Sequence, residues 1–152
     1  MTITFESNPV YSIVSVNGKW RRYPRYYTQC AVCAVVINNK NQLLMVTRKD
    51  NYNNWNLPGG KLEKDESFET ALYREVLEET GIEIKNHKFL YFKSLKEYYV
   101  GIYIATKFQG EISQQPGEGL VRWGSWEDIL TTKSSFCEFN QKLFNELINH
   151  IV

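Results

Sequence analysis

The chain has 152 residues and a mass of 17.9 kDa, which suits one compact domain. Lys and Arg number 18 against 17 Asp and Glu, a formal net charge of +1 that argues against a partner held by bulk charge alone. With 43% hydrophobic and 14% aromatic residues, the composition can bury a core and is too apolar for disorder. No apolar run reaches the ~18–20 residues of a membrane span, and residues 1–6 lack the basic start and apolar stretch of a signal peptide. Three cysteines, an odd number in no dense framework, point to a reduced compartment, so the expectation is a cytoplasmic protein without a membrane partner.

In chain order, residues 10–16 and 19–24 read as two strands of a hairpin about 9–25, joined by Asn17-Gly18, a pair suited to the positive φ angles of a tight turn. Pro24 fits the end of an edge strand. Residues 28–37 form a near-continuous apolar run, the mark of a strand covered on both faces. Cys30 and Cys33 fall in this run, on opposite sides of it, with no second Cys or His pair to complete a zinc site, so they read as structural. Residues 42–48 read as the next strand and 49–56 as a polar loop carrying Tyr52 and Trp55. A helix is predicted from about Glu66 to Thr80, with Asp65 as N-cap and Gly81 as the left-handed stop. Strands follow at 87–95 and 98–108, then a turn-rich loop, 109–119, containing Pro116-Gly117-Glu118-Gly119. A short strand at 120–125, a helical turn at 126–131 and an amphipathic helix at 136–150 close the chain. This order fits a mixed sheet flanked by helices.

The helix carries the chemistry. Glu75, Glu78 and Glu79 occupy positions i, i+3 and i+4, within an arc of roughly 100°, where like charges repel. Glu78 and Glu79 also sit in the last turn, at the negative end of the helix dipole. Three glutamates held together against that repulsion call for a cation, and hard oxygen donors suit Mg²⁺, with Mn²⁺ as the alternative. A solvated acidic face is the competing reading. Arg74 can pair with Glu66 or Glu69 and fix the helix to the loop before it.

The spacing reaches further. Gly60 is followed after five residues by Glu66 and after seven more by Arg74-Glu75-Val76-Leu77-Glu78-Glu79-Thr80-Gly81-Ile82. Residues 60–82 thus resemble the Nudix hydrolase signature G-x5-E-x7-R-E-U-x-E-E-x-G-U at every defined position. Leu43 to Arg48, Trp55-x-Leu57-Pro58-Gly59-Gly60 and Trp123-x-x-Trp126-Glu127-Asp128-Ile129-Leu130 are also similar to family features. The resemblance covers roughly residues 28–132 and leaves the N-terminal hairpin outside.

The resemblance implies a Nudix-type α/β/α sandwich and Mg²⁺-dependent hydrolysis of a pyrophosphate bond in a nucleoside di- or triphosphate derivative. It implies Glu75, Glu78 and Glu79 as metal-binding or base-forming acids, the Gly59 carbonyl as an extra ligand, and Gly60, Glu66, Arg74 and Gly81 as structural positions of the box. The proton acceptor comes from the box or from a later loop, where Glu118 is the candidate. Arg48, at the end of a core strand, can meet a phosphate with its fork. Tyr52 and Trp55 can stack on a base, and Trp55 can equally clamp its loop to the core. Tyr98 and Tyr99 fall where a tyrosine marks the dinucleoside polyphosphate hydrolases, and Tyr98 is a candidate substrate contact. Trp123 and Trp126 read as packing, Cys137 as a buried helix residue, and His87 and His150, without partners in sequence, as structural or surface residues.

The expected partner is a nucleotide. An RNA 5′-end pyrophosphohydrolase or RNA-binding module is the competing class, carried by Lys19-Trp20-Arg21-Arg22-Tyr23-Pro24-Arg25, where four cations alternate with aromatics. Charge guarding an exposed strand edge explains the same residues. That edge also makes the hairpin a candidate homodimer element.

Overall fold

The computed structural model describes residues 3–7, 11–16, 19–24, 29–95, 98–131 and 140–146, the first three segments by their backbone alone. Strands β1 (Ile3–Ser7), β2 (Tyr11–Val16) and β3 (Lys19–Pro24) form an antiparallel sheet in that order. The expected hairpin is β2–β3, with Val16 opposite Lys19, and Asn17-Gly18 lies outside the described residues. β1 is a strand that the sequence reading left out, although Ile3-Thr4-Phe5-Glu6 alternates and Asn8-Pro9 follows as a turn signal.

The rest of the chain adds β4 (Gln29–Val36), β5 (Leu43–Arg48), β6 (Asn51–Asn56), β7 (Gly59–Lys61), α1 (Phe68–Thr80), β8 (Glu83–Leu95), β9 (Tyr98–Gln109), β10 (Val121–Gly124) and α2 (Trp126–Thr131). A four-stranded mixed sheet runs β7-β4-β9-β8, with β4 and β9 parallel and the other pairs antiparallel. A second sheet runs β10-β5-β6. As expected of its unbroken apolar run, β4 is covered on both faces. Val32, Ala34 and Val36 pack with Phe68, Leu72 and Val76 of α1. Ala31, Cys33 and Val35 pack on the other side with Met45, Ile129 of α2 and Leu143 of the helical residues 140–146. The sheet therefore lies between α1 and the late helices, the expected α/β/α sandwich. Cys30 and Cys33 are free thiols on opposite faces, and burial pushes both up to about 12.

Two local expectations are corrected. Residues 51–56 pair with β5 as a strand, Val46 opposite Asn56 and Thr47 opposite Trp55, despite the low strand propensity of asparagine. Their buried amides satisfy one another, which overrides propensity. The helix starts at Phe68 with Ser67 as N-cap, its Oγ accepting from the Thr70 amide at 3.1 Å, while Asp65 adopts φ 63° in the turn before it. Ser67→Ala is expected to lower stability by about 1 kcal/mol in urea unfolding. Gly81 ends α1 as expected, at φ 81°, its N–H donating to the Leu77 carbonyl at 3.0 Å. Among the described residues no helix is long and apolar enough to cross a membrane.

Candidate active site

β7 is an edge strand, and its ladder fixes what it offers to α1. Ala34 N–H donates to the Pro58 carbonyl and Leu62 N–H to the Cys30 carbonyl, so Gly59, opposite Cys33, falls at the alternate position, where a strand turns its own N–H and C=O away from its partner. The outward Gly59 N–H meets Glu79 Oε1 at 2.9 Å. Gly60 makes room for the next acid. A Cβ there would stand 2.4 Å from the Glu75 carboxyl carbon and 2.5 Å from its Oε1, so only glycine lets this carboxylate approach the strand.

Arg74 organises the other acids. Its Nε and Nη2 donate to the two Glu66 oxygens at 2.7 and 2.8 Å, a bidentate fork, and Nη2 also donates to the Lys61 carbonyl at 3.2 Å. Nη1 donates to Glu75 Oε1 at 2.9 Å and to Glu78 Oε2 at 3.1 Å. Glu66 further accepts from the Glu63 amide at 3.0 Å. The Arg74 guanidinium holds the Glu66 carboxyl below the usual carboxylate range.

Glu79 is half-buried, and its removal from water pushes its carboxyl up to about 8, aided by the charges of Glu75 and Glu118 and opposed by the Gly59 N–H and Lys49. Burial also raises Glu75, against the pull of Arg74 and with added push from Glu78 and Glu118. Glu118, on the loop after β9, is thus within electrostatic reach of both box acids. Its loop is pinned where Leu120 N–H donates to Thr47 Oγ1 at 2.9 Å and Thr47 N–H to the Leu120 carbonyl at 2.9 Å.

Beside Gly59 and Gly60 lies a pocket of about 240 Å³, walled by Leu57, Pro58 and Val100, with Tyr98, Asn56 and Asn140 supplying polar groups. Lys61 Nζ stands 5.4 Å from the centre of the Tyr98 ring. Residues 28–147 match the sequence profile of the NUDIX domain. The chain belongs to the Nudix family. An RNA pyrophosphohydrolase of Pelagibacter ubique is 31% identical over 120 residues, 76% of this chain and 74% of that protein. A MutT-like protein of Streptomyces ambofaciens is 36% identical over 101 residues, 65% of each. The chain spans about half the length of a Bacillus subtilis relative that is 40% identical over 85 residues. The mutator MutT protein of Bacillus halodurans superposes with a TM-score of 0.64 at 26% identity, covering 77% of this chain and 80% of that one. Nudix hydrolases use divalent metal ions.

The residues present fit such an ion by donor chemistry, since the carboxylates are hard oxygen donors set beside an outward backbone carbonyl at Gly59. In their present positions no three His, Cys, Asp or Glu side chains among the described residues form a cage. Arg74 engages Glu75 and Glu78, and the Gly59 amide engages Glu79.

The structure brings Glu75, Glu79, Gly59, Gly60 and Glu118 together, with Glu78 joined through Arg74 and Tyr98 lining the neighbouring pocket. It does not bring Arg48, Tyr52 or Trp55 to that pocket. Arg48 is exposed and bound through Nε to Asp50 Oδ1 at 2.9 Å. Tyr52, 48% exposed, faces a separate hollow with Lys49 and the 114–118 loop. Trp55 packs on the second core, and the Arg122 guanidinium covers its ring at 4.5 Å, so of the two roles open to it the clamp is what the contacts support. Trp123 stacks on Phe108 and Trp126 packs on Phe144, as expected of packing residues. Tyr99 stacks on Phe92, on the face of β9 opposite Tyr98.

Sequence reading missed Lys49, whose Nζ is 3.6 Å from Glu118 Oε1 and whose charge reaches Glu79. It also missed the buried amides Asn54, Asn56 and Asn140. Of the two readings open to His87 the structure shows the structural one: Nδ1 is 2.9 Å from Tyr73 Oη and Nε2 is 2.8 Å from Glu69 Oε1, both on α1. Cys137 and His150 lie outside the described residues.

Proposed function

We propose that the protein hydrolyses a pyrophosphate bond in a nucleoside di- or triphosphate derivative, with Mg²⁺ as the ion. The observation that carries this reading is the adjacency of the box acids around Gly59 and Gly60 to an apolar pocket with an amide floor, a place for polyphosphate beside a place for a base. Glu75, Glu78, Glu79 and the Gly59 carbonyl would hold the ion, which when bound neutralises phosphate oxygens and acidifies water. Glu66 and Arg74 keep α1 in register with the glycine strand. Glu118 takes the proton from the attacking water, since its loop places a carboxylate near the acids without belonging to the box. Lys49, beside Glu118, and Lys61, beside Tyr98, meet the charge of the phosphate chain. Tyr98 and the Asn56–Asn140 pair meet the base. Three cysteines in no dense framework favour a reducing, cytoplasmic setting.

The test is a substrate panel with Mg²⁺: canonical and oxidised dNTPs, dinucleoside polyphosphates, ADP-ribose, FAD and a 5′-triphosphorylated RNA. Products are identified by mass in ¹⁸O water, which marks the phosphorus attacked. The expected result is a nucleoside monophosphate product whose formation stops when the divalent ion is chelated. No cleavage of any member would overturn the reading, and preference for the RNA would shift it to the RNA-end class.

A further inference from the structure

The amide floor of the apolar pocket belongs to a chain of three buried asparagines contributed by distant segments. Asn54 and Asn56 come from β6 and Asn140 from the late helical segment, and they are 6%, 9% and 2% exposed. Asn56 Nδ2 donates to the Asn54 backbone carbonyl at 3.3 Å and to Asn54 Oδ1 at 2.9 Å. Asn140 Nδ2 donates to Asn56 Oδ1 at 3.3 Å. Asn56 and Asn140 line the pocket; Asn54 does not.

The order of these bonds fixes the polarity of the floor. A primary amide can turn over and exchange its donor for its acceptor unless a neighbour decides. Here two acceptors of Asn54 hold the donor together: its backbone carbonyl, which can only accept but stands at 3.3 Å, and its side-chain Oδ1 at the shorter 2.9 Å, so that without the side chain only the longer bond resists a flip. The Asn56 end facing Asn54 must therefore be the NH₂. Asn56 then turns its oxygen to Asn140, which must answer with its own NH₂. Among the described residues nothing else takes its Oδ1 or its second N–H, which leaves Asn140 an acceptor beside a donor for a ligand. That face complements a heterocycle edge carrying a donor next to an acceptor, the pairing by which asparagine reads a purine.

We propose that Asn54 is a positioning residue that, through Asn56, sets the amide orientation of Asn140 and so the affinity of this pocket for a base. The proposal rests on the base-pocket reading above. Asn54 touches no ligand itself. Its side chain supplies the shorter of the two bonds that hold Asn56 in one orientation.

The experiment measures binding, which needs no turnover. Nucleoside monophosphate and ribose 5-phosphate are titrated against wild type, Asn54→Ala and Asn54→Asp, with circular dichroism as a check on folding. Wild type is expected to bind the nucleotide more tightly than ribose 5-phosphate. Asn54→Ala is expected to lose about tenfold in nucleotide affinity, the scale of one buried hydrogen bond, with ribose 5-phosphate binding unchanged. Asn54→Asp retains the accepting oxygen and cannot flip, so it is expected to restore the base-dependent part. Wild type that binds both ligands equally would overturn the base pocket itself. Nucleotide affinity unchanged in Asn54→Ala, or lost equally for both ligands, would overturn the relay alone.

Discussion

Glu79→Gln is expected to lower kcat by orders of magnitude, through loss of a carboxylate that would hold the ion, while making the metal-free fold more stable at pH 8. The two effects have one source. Glu79 lies half-buried under the glycine strand, with the Gly59 N–H as its hydrogen-bond donor, and its carboxyl is pushed up to about 8. The unfolded chain releases this proton near the ordinary glutamate value, about 4.3, while the folded chain keeps it to about pH 8. Stability of the metal-free protein therefore falls as pH rises through that window and levels above it. At about 1.4 kcal/mol per pH unit, the loss reaches a few kcal/mol. Glutamine can still accept from Gly59 and carries no charge, so the variant lacks this decline. Mg²⁺ should raise the melting temperature of wild type at pH 8 well above its effect on the variant. Melts at pH 5 and pH 8, with chelator or Mg²⁺, check this. A wild-type melting temperature equal at both pH values without metal would refute the buried-acid account.

How far the sequence reached depended on whether a feature was local. The β4 strand was legible because an unbroken apolar run has one cheap explanation, burial on both faces. The acids of α1 were legible because helical spacing converts sequence separation directly into a shared surface. The chain end of β5 was not. Strand alternation there is interrupted by a register shift between Thr47 and Arg48, and parity arguments fail across a bulge. Arg48 accordingly pairs with Asp50 in solvent while Lys49 faces the acid loop. The asparagine floor was hidden for a different reason. Its members are 84 residues apart where Asn56 meets Asn140, and polar side chains in β6 imitate a loop until the partners that satisfy them are known. The partners of His87 were hidden likewise, because Glu69 and Tyr73 share a helix face only the fold turns toward β8. Ser67 displaced Asp65 as cap because a second capping side chain stands two residues further on, and the turn φ of Asp65 places it before the helix.

Arg74→Ala is expected to destabilise the metal-free protein by about 2–3 kcal/mol at neutral pH. The Glu66 side chain is 8% exposed and takes both forks of the guanidinium, while Arg74 is 21% exposed. Removing one partner of a buried pair costs about 3–5 kcal/mol, and the partial exposure of Arg74 reduces that figure through solvent screening. The pH dependence identifies the cause. Glu66 is held below its ordinary value in the fold, so its pairing contributes stability above the unfolded value, and that contribution is lost as pH falls through the depressed one. The difference between wild type and variant should therefore be largest at neutral pH and shrink on acidification. Arg74→Lys keeps the charge but not two parallel bonds, and should recover about half of the loss. Mg²⁺ should help Arg74→Ala more than wild type, because Glu75 and Glu78 lose the Nη1 donor that engages them without metal. Urea unfolding at pH 7.5 and pH 4, with and without Mg²⁺, separates these contributions. A loss that is the same at both pH values would assign the effect to the packing of the arginine stem and remove the ion pair from the account of how α1 is held against the glycine strand.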